Sequence, residues 1–502
     1  MSMPISKYAA PARLSSLLLS LLLAGCAVGP DFKHPEQTLP AHFARAATTP
    51  SAPQVDADAQ FWRGFGDPRL AALVGQAMAA NQELRVMVAR FDAADALLAS
   101  ARLDRYPTVT ASGQEGHQLL SKDQAFGAPR SERSTPTSSL QANASWELDL
   151  FGRVRRGIEA QQADTAASVA DINAMRVTVA AEVASTYVNL RGAQERLRIA
   201  RANADNQQQM VALIQARIDA GRGSDLDLAR ARAQWQTTVS RVAVYQANIG
   251  VAQHRLAVLT ARPAAALIRE LDAPAALPQL DTRVDPGTPA DMLRRRPDVA
   301  AAEARLHAAT ARIGVATADL FPRLTLGGLI GSASYSYGVF RSGSDTNLIA
   351  LGIDWSFLDI GRVRARISAS EADAAGLLAQ YQQTVQLALE DTENALLRSQ
   401  RIGEEAGHLR RAADDSATAV RLADARFQAG AIDYYQVLDA QREQLQAQDA
   451  AADADMRGAA AVVALYKAMA GGWDPASPGA TAAPAQSTHG DLAAATANAG
   501  GR

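Results

Sequence analysis

One residue of this chain sits where an enzyme would modify it. Cys26, the only cysteine among 502 residues, closes the string Leu23-Ala24-Gly25-Cys26 behind an apolar run. Lys7 and Arg13 supply a basic region and Leu17 to Leu23 an apolar core, while the small residues at 24 and 25 suit a peptidase that cuts before a lipid-bearing cysteine. Residues 1–25 therefore read as a lipoprotein signal, with the mature chain beginning at Cys26. An acylated cysteine is no longer a thiol, and without a second cysteine there is neither an internal disulfide nor a thiolate metal site. Burial of acyl chains contributes about 0.8 kcal/mol per methylene, so several chains on one residue anchor a protein stably where one alone is marginal. This covalent lipid is the only attached group the sequence calls for; no cofactor is expected.

The other residue types that do chemistry are dispersed. Histidines stand at 34, 42, 117, 254, 307, 408 and 489 without clustering. There is no Gly-Lys-Ser/Thr phosphate loop, no His-Glu-x-x-His and no Gly-x-Ser-x-Gly, and Gly221-x-Gly223 lacks the strand and lysine of a nucleotide site. The expectation is a protein that is not an enzyme. A formal charge of -2 with no basic stripe excludes nucleic acid as a partner. Beyond Leu23 no apolar run reaches the roughly 18 residues of a spanning helix, so further insertion into a membrane must use strands.

The elements that would do this are duplicated. Ala89-Arg90, Ala101, Asp104 and Tyr106-Pro107 recur as Ala304-Arg305, Ala316, Asp319 and Phe321-Pro322, each 215 residues on (304 minus 89). Trp146, Gly152-Arg153-Val154-Arg155, Arg217 and Gly221 recur as Trp355, Gly361-Arg362-Val363-Arg364, Arg426 and Gly430, each 209 on (355 minus 146). The difference of six between the offsets is what loops of unequal length would leave.

Each half reads helix, strand, loop, strand, very long helix, turn, helix. Over 140–150, Leu140, Ala142, Ala144, Trp146, Leu148 and Leu150 alternate with Gln141, Asn143, Ser145, Glu147 and Asp149. Ile349, Leu351, Ile353, Trp355 and Phe357 repeat the scheme within a strand placed at 347–358. Weaker strands are expected at 106–117 and 321–335, opening at prolines that need no ladder donor. Strands of roughly ten residues with an aromatic near one end suit a membrane barrel with lipid outside and water inside. Polar, Gly- and Ser-rich stretches near 118–136 and 336–346 read as exposed loops. Four strands cannot close, and open edges in hydrocarbon leave backbone groups unpaired at several kcal/mol each, so a barrel must be shared between subunits.

The long helices are expected over 153–220 and 362–429, each about 100 Å at about 1.5 Å per residue. Val183, Leu190, Leu197, Ala204 and Val211 recur every seven residues, as a coiled-coil seam requires. Gly221-Arg222-Gly223-Ser224 and Gly430-Ala431-Ile432-Asp433 end them, and return helices follow at 225–262 and 434–471.

These features resemble the outer-membrane factor family, the TolC-like exit ducts, and in particular its lipidated NodT-type branch. The resemblance covers about 26–473 and rests on Cys26-Ala27-Val28-Gly29-Pro30-Asp31-Phe32, Phe61-Trp62-Arg63 with Phe65-Gly66-Asp67-Pro68-Arg69-Leu70, Leu293-Arg294-Arg295-Arg296-Pro297-Asp298-Val299, and Val437-Leu438-Asp439-Ala440-Gln441-Arg442. It implies an α+β fold with a long-helix α-barrel, four strands per protomer entering a shared 12-stranded β-barrel, and a homotrimer. It further implies a passive exit duct for drugs or other small molecules in a tripartite efflux system, at the outer membrane. The implied partners are a periplasmic membrane-fusion adaptor, an inner-membrane RND-type transporter and outer-membrane lipid. The exit channel of a type I protein secretion system is an alternative of the same architecture. A periplasmic coiled-coil lipoprotein is a remote one, which leaves the alternating strands unexplained.

By the same resemblance Asp439 lies in the closed periplasmic tip, where symmetry copies would form a ring that raises mutual pKa values and attracts cations. The competing reading is a solvated helix face. Phe427 stands where related ducts often carry Tyr, so it could constrict the gate by bulk only. The turns Gly221, Arg222, Gly223, Ser224 and Gly430, Ala431, Ile432, Asp433 are the expected adaptor-docking tips, although helix capping accounts for Ser224 and Asp433 without it. Arg294 to Arg296 read either as neutralising equatorial carboxylates or helix ends, or as a solvated face. The organisation expected is an extended lipidated segment over 26–58, a first repeat over 59–270, a second over 271–473, and a disordered tail over 474–502.

Overall fold

The computed structural model describes residues 27–45, 61–278 and 287–470; the expected signal segment, Cys26 and the tail over 474–502 lie outside the described residues. After a 3-10 turn at Phe61–Phe65 come α1 (Pro68–Ala80), α2 (Gln82–Leu103), β1 (Thr108–Leu119), β2 (Ser134–Leu148), α3 (Arg153–Asp219), α4 (Asp225–Leu259) and α5 (Ala264–Leu271). The second half runs α6 (Pro289–Arg295), α7 (Pro297–Ala318), β3 (Arg323–Ser334), β4 (Asp345–Asp354), α8 (Ile360–Gln428) and α9 (Tyr434–Ala468). No helix among the described residues is long and apolar enough to cross a membrane.

The chain divides into two compact units that do not follow the repeat. One takes the N-terminal residues through Gln37 with Val88–Ala170 and Val299–Thr384; the other takes Thr38–Met87, Asp171–Asp298 and the chain from Val385 onward. Each repeat gives its strands to the first unit and its helical hairpin to the second.

In the first unit the strands form one antiparallel sheet in the order β1-β2-β3-β4. The register pairs Val109 with Ala144, Ala144 with Gly328 and Gly328 with Ile349, and it pairs Trp146 with Leu326 and Leu326 with Leu351. Since paired residues share a face, Val109, Ala111, Leu140, Trp146, Leu148, Leu324, Leu326, Ile330, Ile349, Leu351 and Ile353 line one side. The two tryptophans repeat each other down to the hydrogen bond. Trp146 Nε1 donates to the Arg105 carbonyl at 2.9 Å, and Trp355 Nε1 to the Leu320 carbonyl at 3.0 Å.

Strand ends differ from the sequence reading for local reasons. Tyr106 belongs to the turn that closes α2, its N–H donating to the Leu103 carbonyl at 2.9 Å, so β1 begins two residues later than expected. β2 begins at Ser134 because polar residues expected in the loop pair with β1, ending at Leu119 opposite Ser134. It stops before Asp149, whose carboxylate accepts the Val154 and Arg155 N–H groups at 3.0 and 2.9 Å. Asp149 thus caps α3 instead of extending the strand, as suits an acid at a helix N-terminus. Trp355 and Phe357 lie beyond the end of β4.

The N-terminal segment is strapped to the first unit by the residues of its motif. The Val28 N–H donates to the Phe151 carbonyl at 3.1 Å, and Phe32 stacks on His307 with centroids 4.5 Å apart. The buried Arg156 guanidinium donates to Asp31 at 2.6 Å and Glu159 at 2.8 Å, and its backing onto Glu159, with His307, holds that carboxyl below the usual range against the upward push of burial. Gly29, at φ +91°, passes so close to Gly314 that a Cβ on Gly29 would stand 2.4 Å from the Gly314 Cα. Only glycine permits this approach. Gly314→Val places a side chain against the Val28 carbonyl and Arg156; amide exchange over 28–34 is expected to accelerate by about tenfold or more, and unchanged protection would show that the strap is held elsewhere.

Candidate functional site

In the second unit the long helices end in duplicated turns. Gly221 (φ +71°) and Gly430 (φ +74°) adopt the left-handed conformation that stops a helix without a Cβ penalty. The Gly221 N–H donates to the Ile218 carbonyl at 2.8 Å and the Arg222 N–H to the Arg217 carbonyl at 2.8 Å. In the second copy, Gly430 donates to Phe427 at 3.0 Å and Ala431 to Arg426 at 2.9 Å, the same pattern 209 residues on (430 minus 221). Ser224 caps α4 by accepting the Leu226 N–H at 3.2 Å, and Asp433 caps α9 by accepting the Gln436 N–H at 3.2 Å. Both polar residues thus serve the helices that follow. Arg222, Gly223, Ser224, Ala431 and Asp433 are exposed, as surface turns should be.

The two turns are not equivalent inside. A Cβ on Gly223 would meet the Ile218 nitrogen at 2.8 Å, whereas the matching position of the second turn carries Ile432, which packs against the core beneath. That core consists of Ile214, Leu228, Ala231, Phe427, Tyr434, Val437 and Leu438. Phe427, expected to constrict by bulk, is only 5 % exposed. Its ring lies 5.9 Å from that of Tyr434, and the Arg217 guanidinium sits over it at 4.0 Å while donating to its carbonyl at 3.2 Å. Within a single copy Phe427 is therefore part of the packed hairpin core. Burial pushes the Tyr434 hydroxyl up to about 12, with Asp227 and Asp424 adding to it. Burial alone pushes the Asp424 carboxyl up, and its Oδ1 has no hydrogen-bond partner.

Asp439 lies on the exposed side of α9 and makes no hydrogen bond or ion pair among the described residues. Its neighbours Val437, Leu438 and Gln441 turn the opposite way and are buried. Hence the structure separates the two residues expected at the gate, Phe427 into the hairpin core and Asp439 onto an open helix face.

A charge network that the sequence reading missed ties the hairpins together. Arg196 of α3 grips Asp449 of α9 with two bonds of 2.8 Å and reaches Asp453 at 2.8 Å; Tyr245 of α4 donates to Asp449 at 2.6 Å. Arg457 bridges Asp453 at 2.8 Å to Glu405 of α8 at 2.9 Å. Burial pushes the Asp449 carboxyl up, yet hydrogen bonds from Arg196 and Tyr245 outweigh it and hold the group below the usual carboxylate range. The available signal was the spacing of Asp449, Asp453 and Arg457 at four-residue steps on one helix face. Of the three arginines at 294–296, Arg296 is buried and donates to the Ala468 carbonyl at the end of α9 at 2.9 Å and to Asp298 at 2.7 Å, while Arg294 is exposed.

The profile of the outer membrane efflux protein family matches residues 73–262 and 288–471, one interval in each half. Nodulation protein T of Rhizobium leguminosarum bv. trifolii is 32% identical over 472 residues, covering 92% of this chain and 98% of its own. Outer membrane protein OprJ of Pseudomonas aeruginosa is 32% identical, with coverage of 92% and 96%. Among solved structures, the outer-membrane channel OprN superposes with a TM-score of 0.83 at 38% identity, covering 90% of this chain and 100% of that one.

Truncating the buried ring gives a direct measure of its packing. Phe427→Ala is expected to weaken the hairpin end by about 3 to 5 kcal/mol, read as faster amide exchange over 426–438, and a loss below about 1 kcal/mol would show that Phe427 does not hold the turns.

Proposed function

Because the chain belongs to the outer membrane efflux protein family and is an outer-membrane efflux channel, we propose that three copies assemble into one passive duct. The observation that carries this reading is the open sheet. β1 and β4 are its edges, each paired on one side only, and β4 exposes Leu348, Ile349, Leu351 and Ile353. In hydrocarbon such edges must be paired, and joining β4 of one copy to β1 of the next satisfies both without any new element. Three copies then supply twelve strands, well inside the range of about 8 to 26 for outer-membrane barrels. The apolar face meets lipid and the face of hydroxyls and amides lines the water-filled interior. Acyl chains on Cys26, followed by the strap at 27–34, anchor the assembly.

The helical hairpins continue the duct into the periplasm, and their turns at 221–224 and 430–433 present the exposed surface for a periplasmic adaptor. An RND-type inner-membrane transporter delivers the cargo, since the chain carries no motif that would energise transport. Asp439, exposed and without a partner among the described residues of its own copy, faces its symmetry mates near the tip. There a ring of carboxylates restricts passage electrostatically and binds cations.

Electron-microscope imaging of the purified mature protein is expected to show elongated particles with threefold symmetry and a barrel at one end; monomeric or solid rods would sink the shared barrel. In planar bilayers Asp439→Ala is expected to raise closed-state conductance at neutral pH. Conductance equal to that of the unaltered channel would remove Asp439 from the gate while leaving the duct intact.

A further inference from the structure

The interior face of the sheet carries one feature that its polarity does not explain. By register, the face opposite the apolar one consists of Thr108, Thr110, Ser112, Gln114, Gly116 and Gln118 on β1, and Thr135, Thr137, Ser139, Gln141, Asn143, Ser145 and Glu147 on β2. On β3 and β4 it consists of Arg323, Thr325, Gly327, Leu329, Gly331 and Ala333, and of Thr346, Leu348, Ala350, Gly352 and Asp354. The charged members, Glu147, Arg323 and Asp354, all stand at the strand ends nearest the helices. Between those ends and the loops the lining is neutral, and its side chains bond to one another, as Asn143 does to Ser112 at 3.2 Å. Leu329 and Leu348 are the only large apolar side chains on this face, and they are direct register partners.

The internal repeat shows that the pair is a departure from a template. Subtracting the strand offsets, 329 minus 215 gives Gln114 and 348 minus 209 gives Ser139; these two are also register partners. Duplication has kept the pairing and exchanged a hydrogen-bonding pair for a hydrocarbon one. The change is not demanded by packing within the chain, because Leu348 is 57% exposed and the leucines have Gly327, Gly331 and Ala350 beside them on the same face, with Asn143 opposite Leu329 and Thr346 next to Leu348. Bulky leucines beside small residues stand proud of the lining. Exposing them to water is unfavourable by about 25 cal/mol per Å², so an apolar solute that covers them is attracted.

We infer that Leu329 and Leu348 form an apolar contact site for cargo in transit, selecting small molecules with a substantial hydrocarbon or aromatic part. The inference rests on the shared-barrel reading above. In the assembled duct the site occurs once per copy, alternating around the wall with the polar pair Gln114 and Ser139. An uncharged wall with apolar islands offers weak, repeated contacts, which favour entry of amphipathic molecules without trapping them. Charged, fully hydrated solutes gain nothing there.

Single-channel recording separates this from its premise. Tetrabutylammonium and tetramethylammonium carry the same charge and differ in hydrocarbon surface; added to channels in planar bilayers, the former is expected to give current interruptions about tenfold longer. The double variant Leu329→Gln with Leu348→Ser, which copies the pair already tolerated in the first half, should abolish that difference. The reciprocal variant Gln114→Leu with Ser139→Leu should lengthen tetrabutylammonium events further. Channels of normal conductance whose interruptions are unaffected by either variant would overturn the contact site and spare the duct. Failure of the unaltered protein to form channels at all would overturn the duct itself.

Discussion

Everything in this molecule depends on where the backbone hydrogen bonds of four strands can be satisfied. A sheet of β1-β2-β3-β4 has two open edges, and in water those edges would be a hazard for aggregation. In hydrocarbon they cannot persist at all. The pressure to pair them makes the assembled barrel a condition of folding at the membrane. It also fixes the alternation of side chains, because one face must suit lipid and the other water. The same constraint explains why the repeat is divided between two compact units. Each half needs a strand pair for the membrane and a hairpin for the aqueous space, and like parts of the two halves pack together.

The helical unit solves a different problem. Long helices rich in alanine bury little surface per residue, and α8 leaves much of its surface exposed within a single copy. Ionic links therefore carry orientation that side-chain bulk does not. Arg196 with Asp449 and Asp453, and Arg457 with Glu405, cross-brace α3, α8 and α9. A bidentate pair held in a half-buried setting is strong and directional, so it specifies register between helices that could otherwise slide.

Much of this was legible in the sequence. The duplication, the alternating strands and the two glycine turns all follow from residue types and spacing, because periods of two and seven and positive-φ glycines leave strong local signatures. The start of β2 was less legible, since Ser134, Thr135 and Thr137 carry loop chemistry and become strand only by pairing with β1. Asp149 looked like a strand residue because alternation cannot distinguish a last strand position from a helix cap. The burial of Phe427 was not legible for a similar reason. Sequence shows that an aromatic stands near the tip, and only the packing of Ile214, Leu228 and Tyr434 shows that it turns inward. The link from Arg196 to Asp449 was not legible because the two lie 253 residues apart.

The two tryptophan contacts join the bilayer boundary to the machinery beneath it. Each indole has an apolar body suited to the headgroup region and an N–H already committed to the carbonyl that follows a helix end, at Arg105 or Leu320. A side chain that seeks a fixed depth in the lipid is thereby tied to the backbone at the point where helix becomes strand. Thinning or stretching of the surrounding bilayer pulls on these two joints in every copy. A bilayer that shifts the depth the indoles prefer is thereby felt at the helix-to-strand junctions of the first unit.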